Sequence, residues 1–308
     1  MNRILLYYRL TALADPHAVA LWQQALCERH GLRGRIIVSP QGLNGTVGGE
    51  VGALKQYAKA TRRHPAFRDL EPSWSDGSAQ DFPRLSVRIR DELVGFGAPD
   101  EVEVGADGVV GGGTRLSPQE LDRLAAERED LVLFDGRSAW EARVGRFRGA
   151  VVPEAETSRE ILAELDAGVY DDFKDRPVVT YCTGGIRCEF LSAMMRRRGF
   201  REVYQLDGGI VGYGEARGDD GLWEGSLAVF DDRGVQDFSE RTAVIGCCDL
   251  CGAPGRVFVN CARPRCHRRL LVCEHHRAEH HRTGQPSGLI CPEGCRDART
   301  GQPLEAAR

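Results

Sequence analysis

The sequence predicts an α/β protein whose central parallel-sheet domain has an α+β domain before it and a small metal-binding region after it. Three observations carry that prediction. Between residues 117 and 217, short apolar runs alternate with helical segments, the pattern of a parallel sheet with helical crossovers. The first 95 residues follow a different order, β-α-β-β-α-β. Eight of the eleven cysteines crowd into residues 247–295.

Length and composition set the frame. A chain of 308 residues holds two or three domains. With 42% hydrophobic and 28% charged residues, extensive disorder is excluded. No run of 18 apolar residues exists, and Met1 to Leu10 lacks the apolar core and cleavage site of a signal peptide. The expectation is a cytoplasmic protein that spans no membrane. A net charge of −4 does not by itself announce nucleic-acid binding.

The first domain is expected over residues 1–95. Ile4 to Leu10 reads as a strand. Pro16 to His30 reads as a helix capped by Asp15 and stopped by Gly31. Arg35 to Val38 and Leu43 to Val47 are short strands around a turn at Gln41, and Val51 to His64 is a second helix. Leu85 to Ile89 alternates with polar neighbours as a half-exposed strand and completes a ferredoxin-like arrangement. Arg84, Arg88 and Arg90 on that strand are candidate RNA contacts. Residues 96–116 are rich in glycine and read as a linker.

The central domain is expected over 117–217. Ser117-Pro118 with Glu120 is a helix start. Leu131 to Asp135, Val178 to Tyr181 and Val203 to Leu206 are buried strands, with helices at Arg159 to Ala167 and Glu189 to Arg198 between them. Open parallel sheets place their chemistry at the carboxyl ends of strands, and there Tyr181 is followed by Cys182. Thr183, Gly184, Gly185 and Ile186 then form a short loop into a helix, with Arg187 beside it. Unpaired amides and the positive end of the helix dipole favour an anion at that point. Cys182 is therefore expected to be a thiolate nucleophile helped by Arg187, with residues 183–186 as the anion-binding loop. Cys188, six residues beyond Cys182, reads as a packing residue with a resolving thiol as its rival, and Cys27 is expected to lie in the first domain's core.

The last part is expected to divide into a connector, 218–243, and a cysteine- and histidine-rich region, 244–308. Four close pairs occur there: Cys248 with Cys251, Cys261 with Cys266, Cys273 with His276, and Cys291 with Cys295. Eight ligands suit two tetrahedral zinc ions, and metal would supply folding free energy on the order of 10 kcal/mol per site to a segment poor in apolar residues. Interleaving would place Cys248, Cys251, Cys273 and His276 at one ion and the other four at the second, with His275 and His280 as rivals to His276. Residues 244–308 hold ten arginines against six carboxylates, a formal +4, and residues 1–243 hold 31 cations against 39 carboxylates, a formal −8. Seven thiolates on two zinc ions reduce the basic excess of the tail.

The residues also carry a resemblance. Phe134-Asp135-Gly136-Arg137, Trp140-Glu141, Gly145 to Ala150 and Leu206-Asp207-Gly208-Gly209 resemble the rhodanese homology domain. Tyr181 to Glu189 is narrower and resembles the signature of the rhodanese-like tRNA uridine hydroxylases, a family with a ferredoxin-like (acylphosphatase-like) first domain and a cysteine-rich tail. One departure is Arg146, where the family usually has histidine; His276 stands where cysteine is expected. The six residues from Cys182 to Arg187 match the loop of sulfur-handling rhodaneses and not the longer Cys-x5-Arg loop of related phosphatases. The resemblance implies a persulfide on Cys182, a structural Asp135–Arg137 pair, tRNA as partner and oxygen-dependent conversion of the wobble uridine to 5-hydroxyuridine. The electron donor, protein partners and oligomeric state are not read. Two rivals remain at this point: a thiosulfate or persulfide sulfurtransferase, and a non-enzymatic zinc-dependent RNA-binding protein.

Overall fold

A computed structural model describes residues 1–106, 108–266, 268–282, 291–292, 294–297 and 302–304, with the backbone alone for 279–282. The chain forms two compact units. The first joins Met1–Ser138 to Gly149–Gly218, and the second joins Ala139–Arg148 to the chain from Asp219 onward.

The first unit opens with β1 (Asn2–Leu10), α1 (Pro16–Arg29), β2 (Arg33–Ser39), β3 (Gly42–Glu50), α2 (Val51–Arg62), β4 (Ser73–Ser75) and β5 (Leu85–Ile89). Asp15 caps α1 by accepting from the Ala18 amide at 2.9 Å. The sheet order is β4-β1-β3-β2-β5. The strand that completes the ferredoxin-like set is thus the short β4, antiparallel to β1. Leu85 to Ile89, expected in that role, instead lies on the opposite edge, parallel to β2. Three residues, Ser73 to Ser75, are too few to show an alternation. One face of this sheet buries Leu5, Tyr7, Ile36, Val38, Leu43 and Val47 with Leu54 and Tyr57 of α2.

Residues 96–116, expected as linker, carry three short strands, β6 (Val104–Gly105), β7 (Gly108–Val109) and β8 (Thr114–Leu116). Val94, Phe96 and Val102 are buried in the central core. Gln41, expected as plain turn, is buried and holds this segment: its side chain accepts from the Leu93 amide and donates to the Pro99 carbonyl, both at 3.0 Å. Next come α3 (Pro118–Glu127), β9 (Val132–Asp135), α4 (Ala139–Ala142), β10 (Gly145–Phe147), α5 (Ser158–Asp166), β11 (Pro177–Tyr181), α6 (Ile186–Arg197), β12 (Glu202–Leu206) and α7 (Gly209–Arg217). Ser117 and Glu120 close a capping box on α3. The sheet is β8-β12-β11-β9, all parallel. Every residue of β9 and β11 is buried, as strands covered on both faces must be. Against them pack Phe190, Leu191, Met194 and Met195 of α6 with Ile161 and Leu165 of α5.

The second unit takes α4 and β10 from the middle of the chain and adds β13 (Trp223–Gly225), β14 (Leu227–Ala228), β15 (Val235–Gln236), β16 (Val257–Asn260), β17 (Arg269–Val272) and α8 (Glu274–Arg282). β10 pairs antiparallel with β13, and β16 with β17. Arg146, the departure noted above, sits on β10 and donates to the Ala142 carbonyl at 3.2 Å. Arg143 meets Asp249 at 2.5 Å. Among the described residues no helix is long and apolar enough to cross a membrane.

Candidate active site and metal centres

β11 delivers Cys182 to the carboxyl edge of the parallel sheet, where it is 1% exposed. Gly185 takes φ +97°, a conformation cheap only for glycine. That turn lets its own amide donate to Cys182 Sγ at 3.2 Å. The amides of Arg187 and Cys188, in the first turn of α6, donate as well. Burial pushes the Cys182 thiol up, but the Cys188 thiol, the Arg187 charge and these amides outweigh it and bring it down to about 6. For Cys188 the sequence leaves packing and a resolving thiol as rivals. It is fully buried, yet its thiol faces Cys182 and donates to it, while burial first and that neighbouring charge second hold its own proton on. Of the two thiols, Cys182 is the one whose surroundings favour the thiolate.

The loop is held from several sides. Arg187 Nη2 donates to Thr183 Oγ1 at 3.0 Å, spanning the two ends of the loop. From α7, Ile210 and Val211 donate their amides to the carbonyls of Cys182 and Thr183 at 2.9 and 3.0 Å. A Cβ on Gly209 would lie 2.5 Å from the Cys182 carbonyl oxygen, so only glycine lets α7 close on the loop. Asp135 and Arg137, both wholly buried, form a two-point ion pair at 2.8 and 2.6 Å, and the Tyr181 hydroxyl donates to Asp135 at 2.8 Å. They tie the end of β9 to the end of β11, a structural task.

The first domain supplies residues that the sequence did not single out. Leu6 Cδ2 lies 2.8 Å from where a Cβ on Gly184 would stand, and the Tyr8 hydroxyl 3.1 Å from that of Gly185. Tyr8 donates to Glu189 Oε1 at 2.8 Å; Arg115 reaches the same oxygen at 2.5 Å, and Gln205 donates to Oε2 at 2.9 Å. Glu189, in the first turn of α6, is thus a buried carboxylate with three donors. Burial and the Glu189 charge hold the Tyr8 phenol well above its usual range. One signal was present: Ile4 to Tyr8 is apolar at every position, which marks a strand covered on both faces. A cleft of about 430 Å³ opens here, lined by Leu6, Tyr8 and Arg9 of β1 together with Arg115, Gly184 and Asp207. Arg84, Arg88 and Arg90 are exposed and lie outside this cleft.

In the second unit the eight candidate ligands gather into two groups, Cys248, Cys251, Cys273 with His276, and Cys261, Cys266, Cys291 with Cys295. Within each group the donor atoms lie within 4.8 Å of one another. Four thiolates around a tetrahedral zinc stand about 3.8 Å apart, and a thiolate and an imidazole nitrogen about 3.6 Å. Cys261 to Cys295 and Cys266 to Cys291 are both 3.6 Å, and Cys251 to Cys273 is 3.8 Å. His276 Nδ1 lies 3.3, 3.5 and 3.7 Å from Cys273, Cys248 and Cys251. The residues fit metal ions of that geometry. His275 is exposed and makes a T-shaped ring contact with His276, and the side chain of His280 lies outside the described residues. The apolar cluster here is built largely of these cysteines, with Leu270 and Val272.

A buried thiolate in a glycine loop at the edge of a parallel sheet defines a rhodanese-type enzyme, here with a domain before it and a cysteine-rich unit after it. The comparisons agree in each part: family models described as UPF0176 acylphosphatase like domain, Rhodanese-like domain and Rhodanase C-terminal match residues 2–93, 117–216 and 224–296. A protein of Arthrobacter sp. named tRNA uridine(34) hydroxylase is 54% identical over 96% of this chain and 99% of its own length. Proteins of the same name from Corynebacterium urealyticum and Rhodococcus opacus are 57% and 56% identical, over 89% and 88% of this chain and 92% and 95% of theirs. The chain belongs to the tRNA uridine(34) hydroxylase family. It is an enzyme, which removes the non-enzymatic rival, and the family favours hydroxylation over sulfur transfer.

Proposed function

We propose that this protein hydroxylates uridine 34 of tRNA at C5, yielding 5-hydroxyuridine, with Cys182 as the reactive residue. The observation that supports this most strongly is the likeness to proteins named for that reaction over nearly the whole of both chains. In this reading the nucleoside lies in the cleft beside Gly184, and Arg187 with the 183–186 loop stabilises negative charge on sulfur. A persulfide on Cys182 extends the reactive sulfur by about 2 Å, from the buried Sγ toward the loop surface. Molecular oxygen supplies the new hydroxyl. Its second atom leaves as water, with two electrons and two protons from a separate donor. Zinc ions on the two ligand groups hold the second unit together and take no part in the chemistry. The working compartment is the cytoplasm, where tRNA is modified.

The test is mass spectrometry of tRNA nucleosides. A strain lacking the gene loses 5-hydroxyuridine and modifications built on it; the parent gene restores them, and Cys182→Ala does not. A thiolated uridine restored in place of the hydroxylated one would make the protein a sulfurtransferase.

A further inference from the structure

The face of the first sheet that points away from α1 and α2 has a register that leads outward from the reactive loop. Two cross-strand rungs run over it: Leu6–Thr46–Arg35–Ser86 and Tyr8–Asn44–Ile37–Arg88, on β1, β3, β2 and β5 in turn. At their β1 ends stand the two residues that touch Gly184 and Gly185. At the other end the face turns basic. Arg33 and Arg35 on β2 and Arg88 on β5 are exposed, and Arg84 and Arg90 continue the alternation of β5 beyond its ends. Leu85, Val87 and Ile89 point the other way, into the core under the helices.

These five arginines differ from several others in the unit. Arg3 and Arg9 of β1 pair with Asp76 and Asp69, and Arg115 with Glu189. Among the described residues none of the five has a carboxylate partner; Arg88 donates only to Ser86 Oγ and Arg90 only to the Ile89 carbonyl. Guanidinium groups left free on one face suit phosphate oxygens. The distance from β1 to β5 is three strand spacings, about 14 Å, so the basic edge is a short run of nucleotides away from the cleft.

We infer that this sheet face is where the sugar–phosphate backbone of the tRNA anticodon arm docks, with Arg33, Arg35, Arg84, Arg88 and Arg90 on its phosphates while the target base enters the cleft at Gly184. The inference rests on the reading that uridine 34 is the substrate. Single-stranded loops splayed over a sheet face, with backbone charge held at its margin, are a common mode of RNA recognition. Thr46, between Leu6 and Arg35, supplies a neutral polar contact along the first rung, while Ile37 on the second packs against the central core.

The test uses the full chain, a labelled anticodon stem-loop RNA with an unmodified uridine 34, and two variants of equal charge change. Arg35→Glu/Arg88→Glu alters the sheet face. Lys55→Glu/Lys59→Glu alters exposed positions of α2, in the layer on the other side of the sheet. The sheet variant is expected to bind at least about tenfold more weakly, with a salt-dependence slope reduced by about 1.4 for two lost contacts. Its KM for tRNA rises while kcat and the alkylation rate of Cys182 stay at parental values; Arg35→Ala/Arg88→Ala follows the same direction and controls for folding. The helix variant behaves as the parent. Equal weakening by both variants, unchanged binding by the sheet variant, or a parent chain that does not bind the RNA would each overturn the docking face. Arginine-dependent binding without hydroxylation would instead sink the hydroxylase reading and leave the docking face standing.

Discussion

Cysteine does opposite work in the two units. At the first unit's glycine loop the surroundings favour charge on one sulfur, Cys182: Gly185, Arg187 and Cys188 donate amides to it, and Cys188 adds its thiol. In the second unit six buried cysteines cluster with Leu270 and Val272, beside an apolar cluster of Trp140, Val144, Ala228 and Leu271. In one region the fold lowers the pKa of a single thiol; in the other, the cysteines gather into two groups that could each hold a metal ion. The contrast follows from how much apolar area each region has. The parallel sheet buries whole strands and can hold a polarised thiolate in the middle. The segment of short strands after Asp219 has less apolar area to offset its chain entropy, and metal ions on the two ligand groups would add to it.

That contrast can be broken in four places. The largest effect is expected from removing metal. A strong chelator, or Cys266→Ser in one group, should cost on the order of 10 kcal/mol at the affected site and unfold the second unit. Elemental analysis should read about two zinc ions in the parent and about one in the variant. A metal-free chain with a protease-resistant second unit would end the comparison. Cys182→Ala should do the reverse: hydroxylation falls by at least about 1,000-fold, roughly 4 kcal/mol of barrier, while melting temperature and zinc content hold. Retained hydroxylation in that variant would remove Cys182 from the chemistry.

Third, Asp135→Ala leaves the Arg137 charge buried and should destabilise the first unit by about 3 kcal/mol, measured by urea denaturation. A loss of only a few tenths would mean that the pair does not hold the strand ends. The smallest effect concerns charge alone. Cys182 alkylation should rise with pH through a midpoint of about 6, because the thiolate is the reactive form and the proton leaves as pH rises. Arg187→Ala or Cys188→Ala removes a group that favours the thiolate, so the midpoint should move up, by about one unit or 1.4 kcal/mol. A downward shift would show that the cause has been assigned wrongly.

Wherever the signal was local, the sequence alone carried it. Cys182 with its two glycines and Arg187, the capping box at Ser117 and the four ligand pairs all lie within a few residues of each other, where spacing fixes geometry. Apolar runs located β9, β11 and β12 for the same reason. What only the tertiary structure decided depends on pairing across long stretches. Leu85 to Ile89 alternates like any edge strand, and nothing local tells which edge it joins; the register with β2 does. Thr114 to Leu116 shows no periodicity in three residues, and it becomes a strand because β12 has a free side. Ala139 to Arg148 reads as part of the central domain, yet packs with the chain after Asp219 because β10 finds its partner in β13. The meeting of Leu6 and Tyr8 with a loop some 180 residues later, and of Arg35 with Arg88 on one face, is of the same kind. Chain connectivity encodes no distance between such residues; the burial of two sheets' apolar faces brings them together.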